Sequence, residues 1–224
     1  KKAGIKFQLG FNRRFDPNFK KVKKLVETKE IGDLHILKIT SRDPEPPSLD
    51  YVKTSGGLFL DMMIHDFDMA RYVSGSEVEE VYAVGSALIN PDITQYNDID
   101  TAIVTLKFEN GAIGVIDNSR EAVYGYDQRV EAFGSKGSAI ANNETETRVE
   151  VLTKDGVKTD NPLYFFLERY NDAYTDEVQQ FFTALENDTK IPCGFEDGIM
   201  AERIAHAAKL SLETGKPIKV EKIK

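Results

Sequence analysis

Between residues 78 and 153 the sequence breaks into short runs of alternating apolar and polar residues, with helical patterning confined to either side. The sharpest turn is Glu109-Asn110-Gly111, between runs at 101–108 and 112–118. Asparagine–glycine between alternating segments is a strong hairpin signal, because both residues take positive φ readily. Runs at 78–88, 128–133, 138–142 and 148–153 continue the series, with Gly134-Ser135-Lys136-Gly137 and Lys154-Asp155-Gly156 as turns. Strands joined this tightly pair antiparallel, since a parallel neighbour needs a long crossover. The expected fold is therefore α+β: an open, mostly antiparallel sheet with helices packed on one face. Along 101–108, Ala102, Val104, Leu106 and Phe108 make an apolar face, and Thr101, Ile103, Thr105 and Lys107 a mixed one that meets solvent or another subunit.

Residues 5–11 alternate as a strand with nothing before it to pair with. Asp16-Pro17 reads as an N-cap followed by proline at the first helical position. The stripe Phe19, Val22, Leu25 and Val26 carries that helix to a stop at Gly32. A strand over 34–40 runs into Ser41-Arg42-Asp43-Pro44. Ser55-Gly56-Gly57 opens a helix over 58–73 that Gly75 closes. Two helices finish the chain, one carrying Phe166, Tyr170, Val178, Phe181, Phe182 and Leu185, the other Ile199, Met200, Ile204, Ala208 and Leu212 before Gly215 and Pro217.

The 224 residues hold 29 Lys plus Arg against 37 Asp plus Glu, a net charge of −8. Such a chain repels phosphate backbones and anionic lipid, which argues against nucleic-acid or membrane partners. No apolar run approaches the roughly 20 residues of a membrane-spanning helix. Lys1-Lys2-Ala3-Gly4-Ile5 has no apolar stretch behind it and does not read as a signal peptide. Cys193, the one cysteine, reads as a bystander thiol suited to a reducing, cytoplasmic setting. There is no G-x-G-x-x-G, Walker A loop, H-E-x-x-H or C-x-x-C pair.

The segment most suggestive of chemistry is Asp61-Met62-Met63-Ile64-His65-Asp66-Phe67-Asp68. On one continuous helix Asp61, His65 and Asp68 share a face, and a carboxylate one turn from an imidazole supports its charged form. The spacing leaves three readings open: a proton-accepting histidine, an ion-paired surface residue, or a metal site of Asp61, His65 and Asp68 in a metal-dependent hydrolase. Arg13 and Arg14 end the first strand, Ser41-Arg42-Asp43-Pro44 ends the second, and Tyr124-Gly125-Tyr126-Asp127 links two others. Each suits a polar ligand, and each equally suits an ordinary turn. His35 and His206 read as structural.

Taken together, several segments resemble the C-terminal domain of the glucose–fructose oxidoreductase / inositol dehydrogenase family. They are Gly10-Phe11-Asn12-Arg13-Arg14-Phe15-Asp16-Pro17, Thr40-Ser41-Arg42-Asp43-Pro44, Ser55-Gly56-Gly57 with the Asp61–His65 pair, Phe108-Glu109-Asn110-Gly111-Ala112-Ile113-Gly114, Tyr124-Gly125-Tyr126-Asp127 and Phe133-Gly134-Ser135-Lys136-Gly137. The likeness covers essentially the whole chain and is nearest to the bacterial inositol 2-dehydrogenase branch. It implies oxidation of a ring hydroxyl of myo-inositol, or scyllo-inositol, to a ketone. His65 would take the hydroxyl proton, Asp61 would hold the substrate and support the imidazolium, and Asn12, Arg13, Asp43 and Tyr126 would line the pocket.

The resemblance also implies NAD, with NADP possible, bound mainly by a Rossmann domain that this sequence lacks. On that view residues 1–11 are the remnant last strand of that domain and residues 12–224 a substrate-binding and oligomerisation domain. Such a fragment would be inactive alone and bind the cofactor weakly or not at all, and the intact protein would form a homodimer or homotetramer through the open sheet face. Two further readings remain beside it: oxidation of another sugar or polyol, and a non-catalytic polyol-binding or scaffold module.

Overall fold

The computed structural model describes residues 4–222; Lys1-Lys2-Ala3, the charged start weighed above as a leader, lies outside them. The expected strand at 5–11 does not form: this stretch is coil, and its one ladder-like bond runs from Leu9 N–H to Cys193 O at 3.0 Å. Alternation makes a strand only where a neighbour supplies partners, and no neighbour is paired with it among the described residues.

A 3-10 turn at Asn12–Phe15 leads into helix α1, Pro17–Glu27. The Asp16 carboxylate caps it by accepting N–H bonds from Asn18 and Phe19, as Asp-Pro predicts. The helix stops five residues before Gly32, at Thr28 and the left-handed Lys29. Strand β1, Leu34–Arg42, follows. Helix α2, Leu49–Ser55, had not been expected; Ser48 caps it, but seven residues between a proline pair and a glycine pair leave too little periodicity to read.

The helix expected over 58–73 is two pieces, α3 at Leu58–Asp61 and α4 at Ile64–Ser74. At the break Met62 and Met63 are both buried, and Leu58 O accepts from the N–H of each. Both Gly56 and Gly57 have left-handed φ, 93° and 85°. A Cβ on Gly57 would stand 2.7 Å from the Asp98 carboxylate, which accepts the first free N–H of α3 from Leu58.

Strands β2 (Val78–Ser86), β3 (Thr101–Phe108), β4 (Ile113–Ser119), β5 (Asp127–Gly134) and β6 (Gly137–Ala141) appear where the alternation places them. With a short terminal strand β9 (Ile218–Lys219) they form one sheet in the order β6-β5-β1-β4-β3-β2-β9. Every neighbouring pair is antiparallel except β1 with β4, which run parallel. The run at 148–153 does not join that sheet. It supplies β7, Glu150–Thr153, which pairs only with β8, Gly156–Thr159, in an exposed hairpin. Val151 and Leu152 are adjacent and so point to opposite faces, which gives the hairpin no single apolar face to bury.

Chain-terminal helices α5 (Phe166–Arg169), α6 (Asn171–Glu186) and α7 (Phe195–Thr214) complete the fold. Helices α1, α4 and α7 cover one face of the sheet, burying Ala102, Val104, Leu106 and Phe108 as expected. The other face is open, and Val84, Ile103, Ile113, Phe133 and Ile140 are exposed on it. His35 and His206 are not core residues: both are exposed, His206 beside Glu202. Cys193 is buried, and burial pushes its thiol up to about 12.

Candidate active site

The parallel pair β1 and β4 decides where the site can be built. Because the strands run together, both C-terminal ends lie on one edge of the sheet, and Asp43 and Arg120 lie just beyond them. Asp43 N–H donates to Ser119 O, and Arg120 Nη1 lies 3.4 Å from Asp43 Oδ2. The other η-nitrogen of Arg120 donates to Asp61 Oδ2 at 2.6 Å, while the Tyr51 hydroxyl donates to Asp61 Oδ1 at 2.6 Å. Asp61, at the last residue of α3, is thus held from both sides.

These groups open on a cleft of about 590 Å³. Asn12, Arg13, Asp43, Asp61, His65 and Tyr126, the six residues that the resemblance singles out, all line it. Beside them stand Tyr51, Arg120, Glu45 and an aromatic wall of Phe165, Phe166, Tyr170 and Tyr174. Tyr126 is buried, with its ring edge-on to Phe165 and Tyr170, and burial pushes its hydroxyl pKa well up. Burial also raises the Asp43 carboxyl, against the pull of Arg120 and Arg13. Many donors and acceptors between aromatic walls suit a small molecule dense in hydroxyls.

His65 departs from the expected ion pair. No hydrogen bond joins it to Asp61; its ring meets the Phe11 ring edge-on at 5.7 Å, and its Nδ1 is buried without a partner among the described residues. Burial, reinforced by the Arg13 charge, pushes its pKa down to about 3, so at neutral pH the imidazole is uncharged. The break at Met62-Met63 explains the difference, since Asp61 and His65 no longer belong to one helix.

The other acids of the segment turn elsewhere. Asp66 accepts from Arg13 Nη1 at 2.5 Å and from Asn118 at 3.0 Å, while Ser41 takes a second Arg13 bond. Burial opposes the charge on Arg13, but Asp66 and its other neighbours outweigh it and the guanidinium stays charged. Asp68 accepts two bonds from Arg14, which also reaches Asp197 on α7. With Asp68 committed there, Asp61, His65 and Asp68 form no common site, and no cluster of three metal-ligating side chains occurs among the described residues. Arg42 and Tyr124 also lie outside the cleft, where Arg42 donates to Asp117 and Tyr124 to Asp127.

Arg120 and Tyr51 join the site without belonging to the sequence motifs. Arg120 carries one local signal, a charged residue just beyond a strand's C-terminal end, and Tyr51 sits on α2, which is too short to show a helical period.

Comparison with known proteins matches residues 19–140 to the GFO/IDH/MocA C-terminal domain. The chain belongs to that family. The matched span holds Asp43, Asp61, His65, Arg120 and Tyr126; Asn12 and Arg13 precede it. This chain is 62% identical over 221 residues to an uncharacterized oxidoreductase, YrbE, of Bacillus subtilis, covering 99% of this chain and 65% of that protein. It is 54% identical over 223 residues to a myo-inositol 2-dehydrogenase of Thermotoga maritima, covering all of this chain and 67% of the relative. Among solved structures, a myo-inositol dehydrogenase from Corynebacterium glutamicum superposes with a TM-score of 0.93 at 42% identity, covering 96% of this chain and 65% of that one. The chain thus spans about two thirds of the length of these relatives.

Proposed function

We propose that this cleft is the substrate site of an NAD-dependent inositol 2-dehydrogenase, which oxidises a ring hydroxyl of myo- or scyllo-inositol to a ketone. The observation that carries the reading is the convergence of His65 with Asp61, Asp43 and Arg120 in one cleft. An unprotonated imidazole is the state a proton acceptor needs. His65 takes the hydroxyl proton through Nε2, the ring nitrogen that is not sealed in the interior. The burial that keeps the ring neutral also disfavours the imidazolium, so His65 passes the proton to solvent water at the cleft mouth once the bond has broken. Asp61, fixed by Arg120 and Tyr51, accepts a hydrogen bond from a ring hydroxyl; Asp43, Asn12, Arg13 and Tyr126 meet the others.

The chemistry of these donors fits a polyol and does not fit a dinucleotide, because the chain offers no glycine-rich loop to cradle a pyrophosphate. In this reading NAD, or NADP, would be held chiefly by the length of the relatives that this chain does not span, and would supply the hydride acceptor. Residues 12–224 then act as the substrate-binding and oligomerisation domain, of which residues 223 and 224 lie outside the described part. The exposed apolar residues of the open sheet face support assembly as a homodimer or homotetramer through that face. The unpaired Cys193 thiol supports a cytoplasmic setting.

The test is NAD reduction by the full-length protein with myo- and scyllo-inositol, against hexoses as competitors. Turnover of inositol with kcat/KM well above that for hexoses is the expected result. Hexose preference, or binding without turnover, would overturn the assignment.

A further inference from the structure

Tyr51 and Arg120 hold Asp61 in different ways. Arg120 is buried, with its side chain 7% exposed, and is anchored through its backbone N–H to Asp100 O. It acts as a fixed positioning group that reaches Asp61 and Asp43 together. Tyr51 stands half-exposed at the cleft rim, on a helix whose one buried side chain is Val52.

A phenol has one hydrogen to give, and Tyr51 gives it to Asp61 Oδ1. Its oxygen keeps acceptor capacity, as does the carboxylate oxygen beside it. The rim of the cleft therefore presents two acceptors 2.6 Å apart, one phenolic and one anionic. Neighbouring gauche hydroxyls on a polyol ring are separated by a comparable, hydrogen-bond-like distance, so both can donate to this pair at once. A molecule with an isolated hydroxyl can engage only one of the two acceptors.

We infer that Tyr51 is a specificity-determining residue: its oxygen and Asp61 Oδ1 together receive two adjacent hydroxyls of the substrate, so the site selects a vicinal diol. This rests on the polyol-dehydrogenase reading above and adds a substrate contact to it. The phenol is protonated at neutral pH, as the arrangement requires, and its bond to Asp61 raises its pKa above the usual value.

The experiment compares full-length wild type with Tyr51→Phe on inositol and on a set of monodeoxy-inositols, alongside thermal unfolding of both proteins. The expected result is a fall in kcat/KM for inositol of about tenfold, carried mainly by KM, with the unfolding midpoint unchanged. On the monodeoxy analogue that lacks the hydroxyl given to Tyr51, the two proteins react alike. An equal penalty on every analogue, or none on inositol, overturns the role of Tyr51 while leaving the dehydrogenase reading intact. Absence of polyol turnover by the wild type overturns that parent reading and this inference with it.

Discussion

Arg13 and Asp66 form a buried ion pair: Nη1 lies 2.5 Å from Oδ1, and the two side chains are 7% and 0% exposed. The pair joins the turn before α1 to α4, and so sets Arg13 at the cleft while leaving Asp66 out of it. A pair this deep cannot lose one member cheaply, because the partner charge is left without water or counter-ion. Asp66→Asn, which keeps the shape and removes the charge, is expected to destabilise the fold by about 3–5 kcal/mol. Denaturant unfolding checks this, and a loss below about 1 kcal/mol would mean that Arg13 finds another partner.

The neutral state of His65 has a consequence for stability. Its pKa lies at about 3 in the fold against 6.5 for the free group, so below pH 6.5 the unfolded chain binds a proton that the folded chain does not. Stability from this residue is complete above pH 6.5 and drains away as the pH falls toward about 3. At pH 5 the loss amounts to about 2 kcal/mol. His65→Gln is expected to lack this component, so the stability gap between the two proteins shifts in favour of the variant on acidification. Parallel stability curves from pH 7 to 5 would show that His65 is not held neutral.

The open sheet face supplies a third test. Ile103 is 53% exposed at its middle, opposite Val84 on the neighbouring strand. Ile103→Lys places a charge there without touching the core. Sedimentation at micromolar concentration is expected to find the parent protein as a dimer or tetramer and the variant dissociated. A monomeric parent would remove this face as an interface.

Much of this molecule could be read from local chemistry, and the exceptions share a cause. The Asp16-Pro17 cap and the Asn110-Gly111 turn depend on neighbouring residues, and both form as read. Of the six cleft residues, Arg13, Asp43, Asp61, His65 and Tyr126 lie in segments that helix spacing and strand ends single out, while Asn12 and the grouping of all six in one pocket rest on motif resemblance, which carries long-range information that spacing lacks. What escaped depends on partners distant in the chain. The strand at 5–11 lacks a ladder here, and the run at 148–153 pairs only with β8. Nothing local announces that β1 and β4 run parallel, the pairing that brings Arg120 to Asp43. The break at Met62-Met63 lies inside an unbroken helical pattern, which is why Asp68 looked like a companion of His65 and instead pairs with Arg14.

Everything proposed for this cleft turns on His65 as the acceptor of a polyol hydroxyl proton. The most direct measurement is the inositol-dependent reduction of NAD by full-length wild type and by His65→Gln under saturating inositol. The wild type is expected to turn over inositol and the variant to show a kcat lower by about 10²–10⁴-fold, with Tm little changed at pH 7.5. A variant that retained wild-type kcat would contradict that role.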